Sequence, residues 1–533
     1  MRGKTMNRSD KFYDVTIIGG GLHGAAIAAD CAGRGLRTLL CDHGDVGGSH
    51  NVVSYRLFHC GLQYLQRGDF SRLADSLRER ALLMQRAPHL YQPSKVIIPQ
   101  QSGFATRLRL NTKAFLYKLI AGQEGKLQAV ELTDTELSEP LSGQTKPNAA
   151  RPAIIFEDAI INDARLAIEN LLLAEQQGAI ILPQTSLVTA RRELGNWQLK
   201  LQDDHEDVST WIQSRCVVNA TGPTANEVQK NILGISSRSG ANKYRAGYLV
   251  VPKLYQGTQS YLLKSNQHHL IAAIPYLDNY TLVGPIVFSQ NGNDISRELP
   301  NEHRDNLISI INHNFKKQLQ PGDIKQAFTV RTSSYKETPE AAPTPLSQDY
   351  ALDFNCSDGK SPVVTLFGSC VNMHRAIAEQ VIEQLAPYID NSESLHRQWT
   401  RACEFPGAQF SGLNPESYLL KLSARYPWMP TALLTRYFSL YGSRTIELLG
   451  EAKSLQDLGE EIVPGLHHRE IDWLYHREWA VRPSAVIWHR TKIRLDLSEA
   501  QISHFKQWFS REYPYQPALS ALHLHTQLNK EAS

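Results

Sequence analysis

The stretch YDVTIIGGGLHGAAIAADCAGRGLRTLLCD, Tyr13 to Asp42, decides the fold. An apolar run ending at Ile18 predicts a buried strand, Ala25 to Arg34 is small and helical, and Thr38 to Cys41 is a second strand. Between strand and helix, Gly19, Gly21 and Gly24 make a G-x-G-x-x-G turn. The glycines provide, in order, a tight turn, close approach of backbone N–H groups to a pyrophosphate, and close packing of helix on strand. The helix N-terminus faces the phosphates, and Asp42 stands where an acid accepts hydrogen bonds from a ribose. In register, these parts predict an α/β chain with a Rossmann-like dinucleotide-binding domain. The fingerprint alone leaves FAD and NAD both open. Its place at the start of a long chain suits an FAD enzyme with a discontinuous cofactor domain.

Two later segments can return to that site. CVVNATGPTAN runs from a strand at Cys216 into Ala220 and Gly222, as a second cofactor contact or as a strand ending in a plain turn. From Val363, VVTLFGSCVNMHRAIAEQ reads as strand, Gly368, then helix, a junction whose N–H groups can face a flavin carbonyl or an anion. Between them, strand-like runs at Tyr248 to Val251, Leu270 to Ile274 and Tyr280 to Val283 predict an antiparallel substrate-side sheet, an α+β element. Asp163 to Gln177 is expected as a helix closed by Gly178. Asp69 to Arg86 places Phe70, Leu73, Leu77, Ala81 and Met84 on one helical face, expected to be buried. Gln101 to Gln123 carries Arg107, Arg109, Lys113 and Lys118 with no acid among apolar residues, and reads equally as a membrane-interface segment or a solvated basic helix. Glu124 to Pro152 reads as a connecting loop. The expected organisation is 1–395 as the oxidoreductase and 396–533 as a helical C-terminal domain.

Composition narrows the function classes. Hydrophobic residues at 42% and charged residues at 20% describe an ordinary globular chain. A formal charge of +3 over 533 residues demands no nucleic-acid partner. The seven cysteines are scattered, which predicts neither a zinc nor a redox pair and suits a reducing, cytoplasmic setting. His467, His468 and His476 do not form a convincing ligand set, so no metal is expected. The polar start and the lack of any run of about 18 apolar residues predict neither export nor a spanning helix.

Taken together, the pieces resemble the FAD-dependent, respiratory glycerol-3-phosphate dehydrogenases nearly end to end. The resemblance rests on IIGGGLHGAAIAADCAGRGL, RLFHCGLQYLQRGDFSRLADSLRERALLMQRAPHL, NDARL, VVNATGP, HNFKKQL, QDYALD and WAVRPSAVIWHRTK. It implies FAD as cofactor and oxidation of glycerol 3-phosphate to dihydroxyacetone phosphate. It also implies electrons passed to quinone, and peripheral seating on the inner face of the cytoplasmic membrane through 101–123; oligomerisation is left open. His59 matches the family histidine and is expected as proton acceptor or substrate orienter, or else as a core histidine. Arg331 matches the family's phosphate-gripping arginine, Tyr64 its tyrosine, and Ser54 remains from its serine-rich cofactor loop.

Several positions depart from the family pattern, and they fall on one pocket. Gln63 replaces an arginine, Cys370 a lysine and Tyr248 a histidine. Two lost charge-assisted contacts weaken phosphate binding by about two to four powers of ten unless Arg56 or Arg245 compensates. Cys370 is read as a buried thiol, with covalent flavin attachment as the alternative. The altered pocket leaves two other readings open: a flavin oxidoreductase with another hydroxy or amino substrate, and a non-catalytic FAD-binding paralogue.

Overall fold

The structure is a computed structural model that describes residues 12–48, 53, 56–57, 64, 68–99, 127–131, 152–236, 240–265, 270–289, 298–335, 350–357, 360–368, 370–389, 398–520 and 522. Ser54, His59, Gln63 and the basic segment 101–123 lie outside them.

The chain begins with β1 (Phe12–Ile18), α1 (Leu22–Gly33) and β2 (Thr38–Cys41), the unit expected from the glycine turn. It continues through β3 (Arg56–Leu57), α2 (Phe70–Arg86), β4 (Tyr91–Pro99), β5 (Leu127–Glu131), β6 (Pro152–Ile161) and α3 (Asp163–Gln176). Then come β7 (Ile180–Leu182), β8 (Thr185–Glu193), β9 (Asn196–Asp203) and β10 (Ser209–Asn219). The strands β11 (Ala241–Pro252), β12 (Ser260–Lys264), β13 (Leu270–Tyr276) and β14 (Tyr280–Ser289) lead to α4 (Asn301–Asn314). The oxidoreductase half closes with β15 (Gln326–Tyr335), β16 (Tyr350–Ser357), β17 (Lys360–Gly368) and α5 (His374–Leu385).

Two sheets result. The first runs β16, β17, β10, β1, β2, β7, with β9 and β8 continuing from β10. Its inner strands are parallel, and Val15, Ile17, Leu39 and Val217 have no exposed surface, as a sheet covered on both faces requires. The strand order reverses at β1, with β2 on one side and β10 on the other, and a crevice outside the carboxyl ends of such strands is the usual ligand position. The second sheet runs β15, β11, β14, β13, β12, β4, β6, β3, and is antiparallel except where β12 meets β4. Its β15 is an edge strand, and its Tyr276 hydroxyl donates to the carbonyl of Val53, tying the sheet to the loop after β2.

Two local expectations change. The polar stretch after residue 123 contains β5, whose backbone pairs antiparallel with β6 from Leu127↔Phe156 to Glu131↔Pro152. In α2 the buried face is rotated: Leu73, Ser76, Leu77, Arg80 and Leu83 are buried, whereas Phe70 is 44% and Met84 38% exposed. The reason is polar pairing across the helix. Ser76 takes the Asn372 amide, Glu79 pairs with Arg375 at 2.5 Å, and Arg80 donates to the Glu157 carbonyl at 3.0 Å.

The helical C-terminal part carries α6 (Pro415–Arg425), α7 (Thr431–Tyr441), α8 (His468–Arg477) and α9 (Glu499–Glu512). It is held to the cofactor half by buried charge. Arg165 of α3 is fully buried and forks onto Glu478, which also accepts from Arg444 at 3.1 Å.

Candidate active site

The glycine turn is built by steric exclusion. Gly19 has φ +108°, and a Cβ there would lie 2.5 Å from the Ala220 carbonyl oxygen. A Cβ on Gly24 would sit 1.8 Å from the Gly19 carbonyl oxygen, so helix and turn touch backbone to backbone. Gly21 caps α1 without any side-chain bond, leaving the first helical N–H groups for a ligand. The Gly19 N–H donates to Cys41 and the Ala220 N–H to Ile18, which locks the ends of β1, β2 and β10 together.

Asp42 closes one side. Its Oδ2 accepts from the Gly20 N–H at 2.6 Å and its Oδ1 from the Gly44 N–H at 2.7 Å. Burial pushes its carboxyl above the usual carboxylate value, against the downward pull of His43 and those two N–H groups. Each oxygen keeps a lone pair, so the group can still accept from a diol.

These elements enclose a cleft of about 340 Å³, bordered by Gly19, Gly21, Asp42, Ala220, Gly222, Tyr248, Arg331 and Gly368. Eight of the positions singled out from the sequence are thereby brought together, and Gly24 lies directly beneath them. Gly222 at φ +57° and Gly368 at φ +81° turn the chain away from the ends of β10 and β17. Tyr248 stacks on Phe328 with ring centroids 5.6 Å apart and walls the sheet side. Arg331 is half-buried on β15 and has no hydrogen-bond or ion-pair partner among the described residues.

Two other positions face elsewhere. Tyr64 is buried and borders a different hollow, with Arg72, Asp75, Tyr350 and Met373. Cys370 has no exposed surface, and its thiol donates to the Asn372 side-chain oxygen at 2.9 Å. Its carbonyl receives the His23 ring at 3.1 Å, which fixes His23 of α1 at the cleft wall. His23, Thr185 and Pro285 also border the cleft. No residue-type pattern in the sequence marks them, because the partner that fixes His23 is 347 residues away.

The loop after β2 has a support that local sequence does not announce. Asp45, 7% exposed, accepts from His489 Nδ1 at 2.5 Å and from both terminal nitrogens of Arg490 at 2.8 Å. Gly48 of the same loop is so close to His489 that a Cβ would meet its Nδ1 at 2.7 Å. The Gly47 N–H donates to the Gly20 carbonyl at 2.8 Å, so the clamp reaches the glycine turn. Its signal in the sequence is the tail motif WHRTK, Trp488 to Lys492. Among the described residues no group of three or more metal-ligating side chains comes together.

The profile of the family described as FAD dependent oxidoreductase matches residues 14–369. A glycerol-3-phosphate dehydrogenase of Pseudomonas aeruginosa is 32% identical over 96% of this chain and 97% of its own length. A D-erythritol 1-phosphate dehydrogenase of Brucella abortus is 29% identical over 93% of this chain and 97% of its own. Among solved structures, the glycerol-3-phosphate dehydrogenase of Bacillus halodurans complexed with FAD superposes with a TM-score of 0.76 at 19% identity, covering 98% of this chain and 95% of that one.

Proposed function

We infer the activity from one premise: this chain belongs to the FAD-dependent oxidoreductase family. It oxidises the secondary alcohol of a small polyol phosphate, with sn-glycerol 3-phosphate to dihydroxyacetone phosphate as the reading best supported. The observation that carries this is the likeness over nearly the whole length to the Pseudomonas enzyme of that name.

The residues present fit the cofactor. The turn has no room for side chains at Gly19 and Gly24, and the capless start of α1 at Gly21 offers a pyrophosphate N–H donors. Asp42 would hold the ribose, with Ala220, Gly222 and Gly368 along the remaining length. Bound FAD supplies a two-electron acceptor for the substrate hydride.

The chain's own part of the reaction is to bind, orient and take a proton. Arg331, unpaired at the cleft among the described residues, holds the phosphate. Tyr248 walls the substrate side. His59 is proposed to accept the proton of the C2 hydroxyl, and Tyr64, Gln63 and Cys370 to border the substrate. Of these, Tyr64 borders a different hollow and Cys370 has its thiol already engaged by Asn372, so support for substrate contact falls chiefly on Arg331 and Tyr248. Quinone as acceptor rests on the family resemblance, and peripheral membrane seating on the basic, apolar pattern of 101–123. No helix among the described residues is long and apolar enough to cross a membrane.

A second reading, a longer polyol phosphate, is favoured by the Brucella relative and by a larger cavity of about 640 Å³ that also borders Arg331. One anaerobic experiment tests both. The purified yellow protein is mixed with glycerol 3-phosphate and, separately, with D-erythritol 1-phosphate. Flavin bleaching by the first supports the leading reading, and bleaching by the second alone supports the longer substrate. A flavin that neither compound reduces refutes both readings.

A further inference from the structure

Tyr248, which walls the cleft, stands at an irregularity in its sheet. The register of β11 against β14 shifts between Gly247 and Leu249, so that Tyr248 faces both Gly284 and Pro285. Bulges of this kind re-aim a side chain beside a site. Gly284 has φ +144°, and a Cβ on it would lie 2.6 Å from Tyr248 Cδ1, so the ring packs directly on backbone there. On the other neighbouring strand its direct partner is Phe328 of β15, and the two rings stack with an interplanar angle of 19°. The Tyr248 ring therefore has no room to move onto Gly284, and Phe328 must give way before it can retreat on that side.

What backs Phe328 is Trp488, from the C-terminal part. The indole stands nearly perpendicular to the Phe328 ring, with centroids 5.8 Å apart. Trp488 is itself pinned: the ammonium of Lys492, a residue 2% exposed, lies 4.3 Å from the indole centroid.

Trp488 belongs to a π-helical turn, Ala485–Arg490, a geometry found often at functional sites. Thr491 closes it, its N–H and its hydroxyl both donating to the Val486 carbonyl, at 3.1 and 2.8 Å. The next two residues after Trp488 are His489 and Arg490, which hold Asp45 in the loop after β2. One turn thus supports both ends of the cleft: the cofactor loop through His489 and Arg490, and the wall at Tyr248 through Trp488 and Phe328.

We propose that Trp488 is a positioning residue for the oxidation. It fixes Phe328, Phe328 fixes the Tyr248 ring, and that ring orients the substrate carbon toward the cofactor. The proposal rests on the polyol phosphate reading above. Trp488 borders the neighbouring cavity and not the cofactor cleft, so its effect must pass through Phe328. Its signature is a loss of rate rather than of affinity, because a reacting group misplaced by about 1 Å can cost on the order of a hundred-fold in rate.

The test compares the holoenzymes of wild type, Trp488→Met, Trp488→Phe, Phe328→Leu and the paired variant Trp488→Met, Phe328→Leu. Each is mixed anaerobically with whichever polyol phosphate bleaches the wild type, and the rate of flavin reduction is followed against substrate concentration. Trp488→Met should keep its flavin and lower the limiting rate about ten-fold or more, with the half-saturating concentration within about two-fold of wild type. Trp488→Phe, which restores an aromatic ring, should recover most of the rate. The paired variant should be no slower than Phe328→Leu alone, since the two residues act in series. A residue that only stabilised the fold would lower the unfolding temperature and leave the limiting rate of flavin-loaded enzyme as it is. An unchanged limiting rate in Trp488→Met, no recovery in Trp488→Phe, or losses that multiply in the paired variant overturns the proposal. Should Trp488→Met come without flavin, Phe328→Leu carries the test, and a limiting rate equal to that of wild type overturns it. A wild type that neither compound reduces refutes the polyol phosphate reading and the proposal with it. A wild type that bleaches no faster than flavin-loaded Trp488→Met refutes the proposal alone.

Discussion

The two ends of the active cleft are made of different materials. At the cofactor end the determinants are absences: Gly19, Gly21 and Gly24 shape the turn by what they lack, and at Gly19 or Gly24 a single Cβ would strike backbone. At the end proposed for substrate they are side chains, Tyr248 and Arg331, delivered by strands some two hundred and more residues along the chain. A backbone site tolerates almost no substitution but is written in a few adjacent residues. A side-chain site can move its charges from one strand or helix to another while the fold stays the same.

The sharpest way to break this contrast is at Gly24. Gly24→Ala forces a Cβ to within 1.8 Å of the Gly19 carbonyl, and neither partner is a flexible side chain that can swing aside. Purified Gly24→Ala should carry little or no flavin, read as the ratio of flavin to protein absorbance. Gly322→Ala, where no atom lies within 4 Å of the added Cβ, should be unchanged. Equal flavin content in the two would show that the close approach at the turn does not control cofactor binding.

Next in size is the clamp at Asp45, which ties the cofactor end to the C-terminal part. Breaking one partner of a buried ion pair costs about 3 to 5 kcal/mol, so Arg490→Met should lower unfolding stability in urea by that order. Burial alone would raise the Asp45 carboxyl, but Arg490 and His489 outweigh it and hold it below the usual carboxylate value. A carboxyl depressed in the folded state contributes its stability above about pH 4 and loses it as the pH falls through the folded value. Asp45→Asn should therefore be less stable than wild type near neutrality and should show a shallower loss of stability below about pH 4. Parallel curves for the two would remove Asp45 from the acid transition.

This clamp also shows where legibility stops. The βαβ unit, the return of Ala220 and Gly222, and the junction at Gly368 could be read in advance because each is a strand ending at a glycine, a local pattern with a local cause. Asp45 and Arg490 are 445 residues apart, and nothing near either announces the other. The α2 helix fails more instructively. Its apolar periodicity pointed to Phe70, Leu73, Leu77, Ala81 and Met84; Leu73 and Leu77 are buried, but Phe70 and Met84 are exposed, and Ser76, Glu79 and Arg80 share the buried face with partners on β6 and near α5. Hydrophobic pattern predicts a buried face only where apolar contact is what buries it.

A smaller effect separates the two ends directly. Arg331→Met should leave flavin content intact while raising KM for the polyol phosphate, by about ten-fold to a hundred-fold for one charge-assisted contact. Steady-state kinetics beside the flavin ratio checks this. Lost flavin with unchanged KM would place Arg331 at the cofactor end instead.

The smallest effect is expected at Cys370, which stands where the resembling family has a lysine. Its thiol is wholly buried and donates to Asn372, which in turn binds Ser76 of α2, so the group joins a chain of hydrogen bonds behind the cleft. Serine can donate in the same direction, so Cys370→Ser should change stability by about 1 kcal/mol or less and leave KM and flavin content as they are. Cys370→Lys, in contrast, must bury an ammonium where no surface is exposed, and should destabilise the fold rather than restore phosphate affinity. Tighter phosphate binding in Cys370→Lys would mean that this side chain swings into the cleft and supplies the substrate a charge contact from the end of β17.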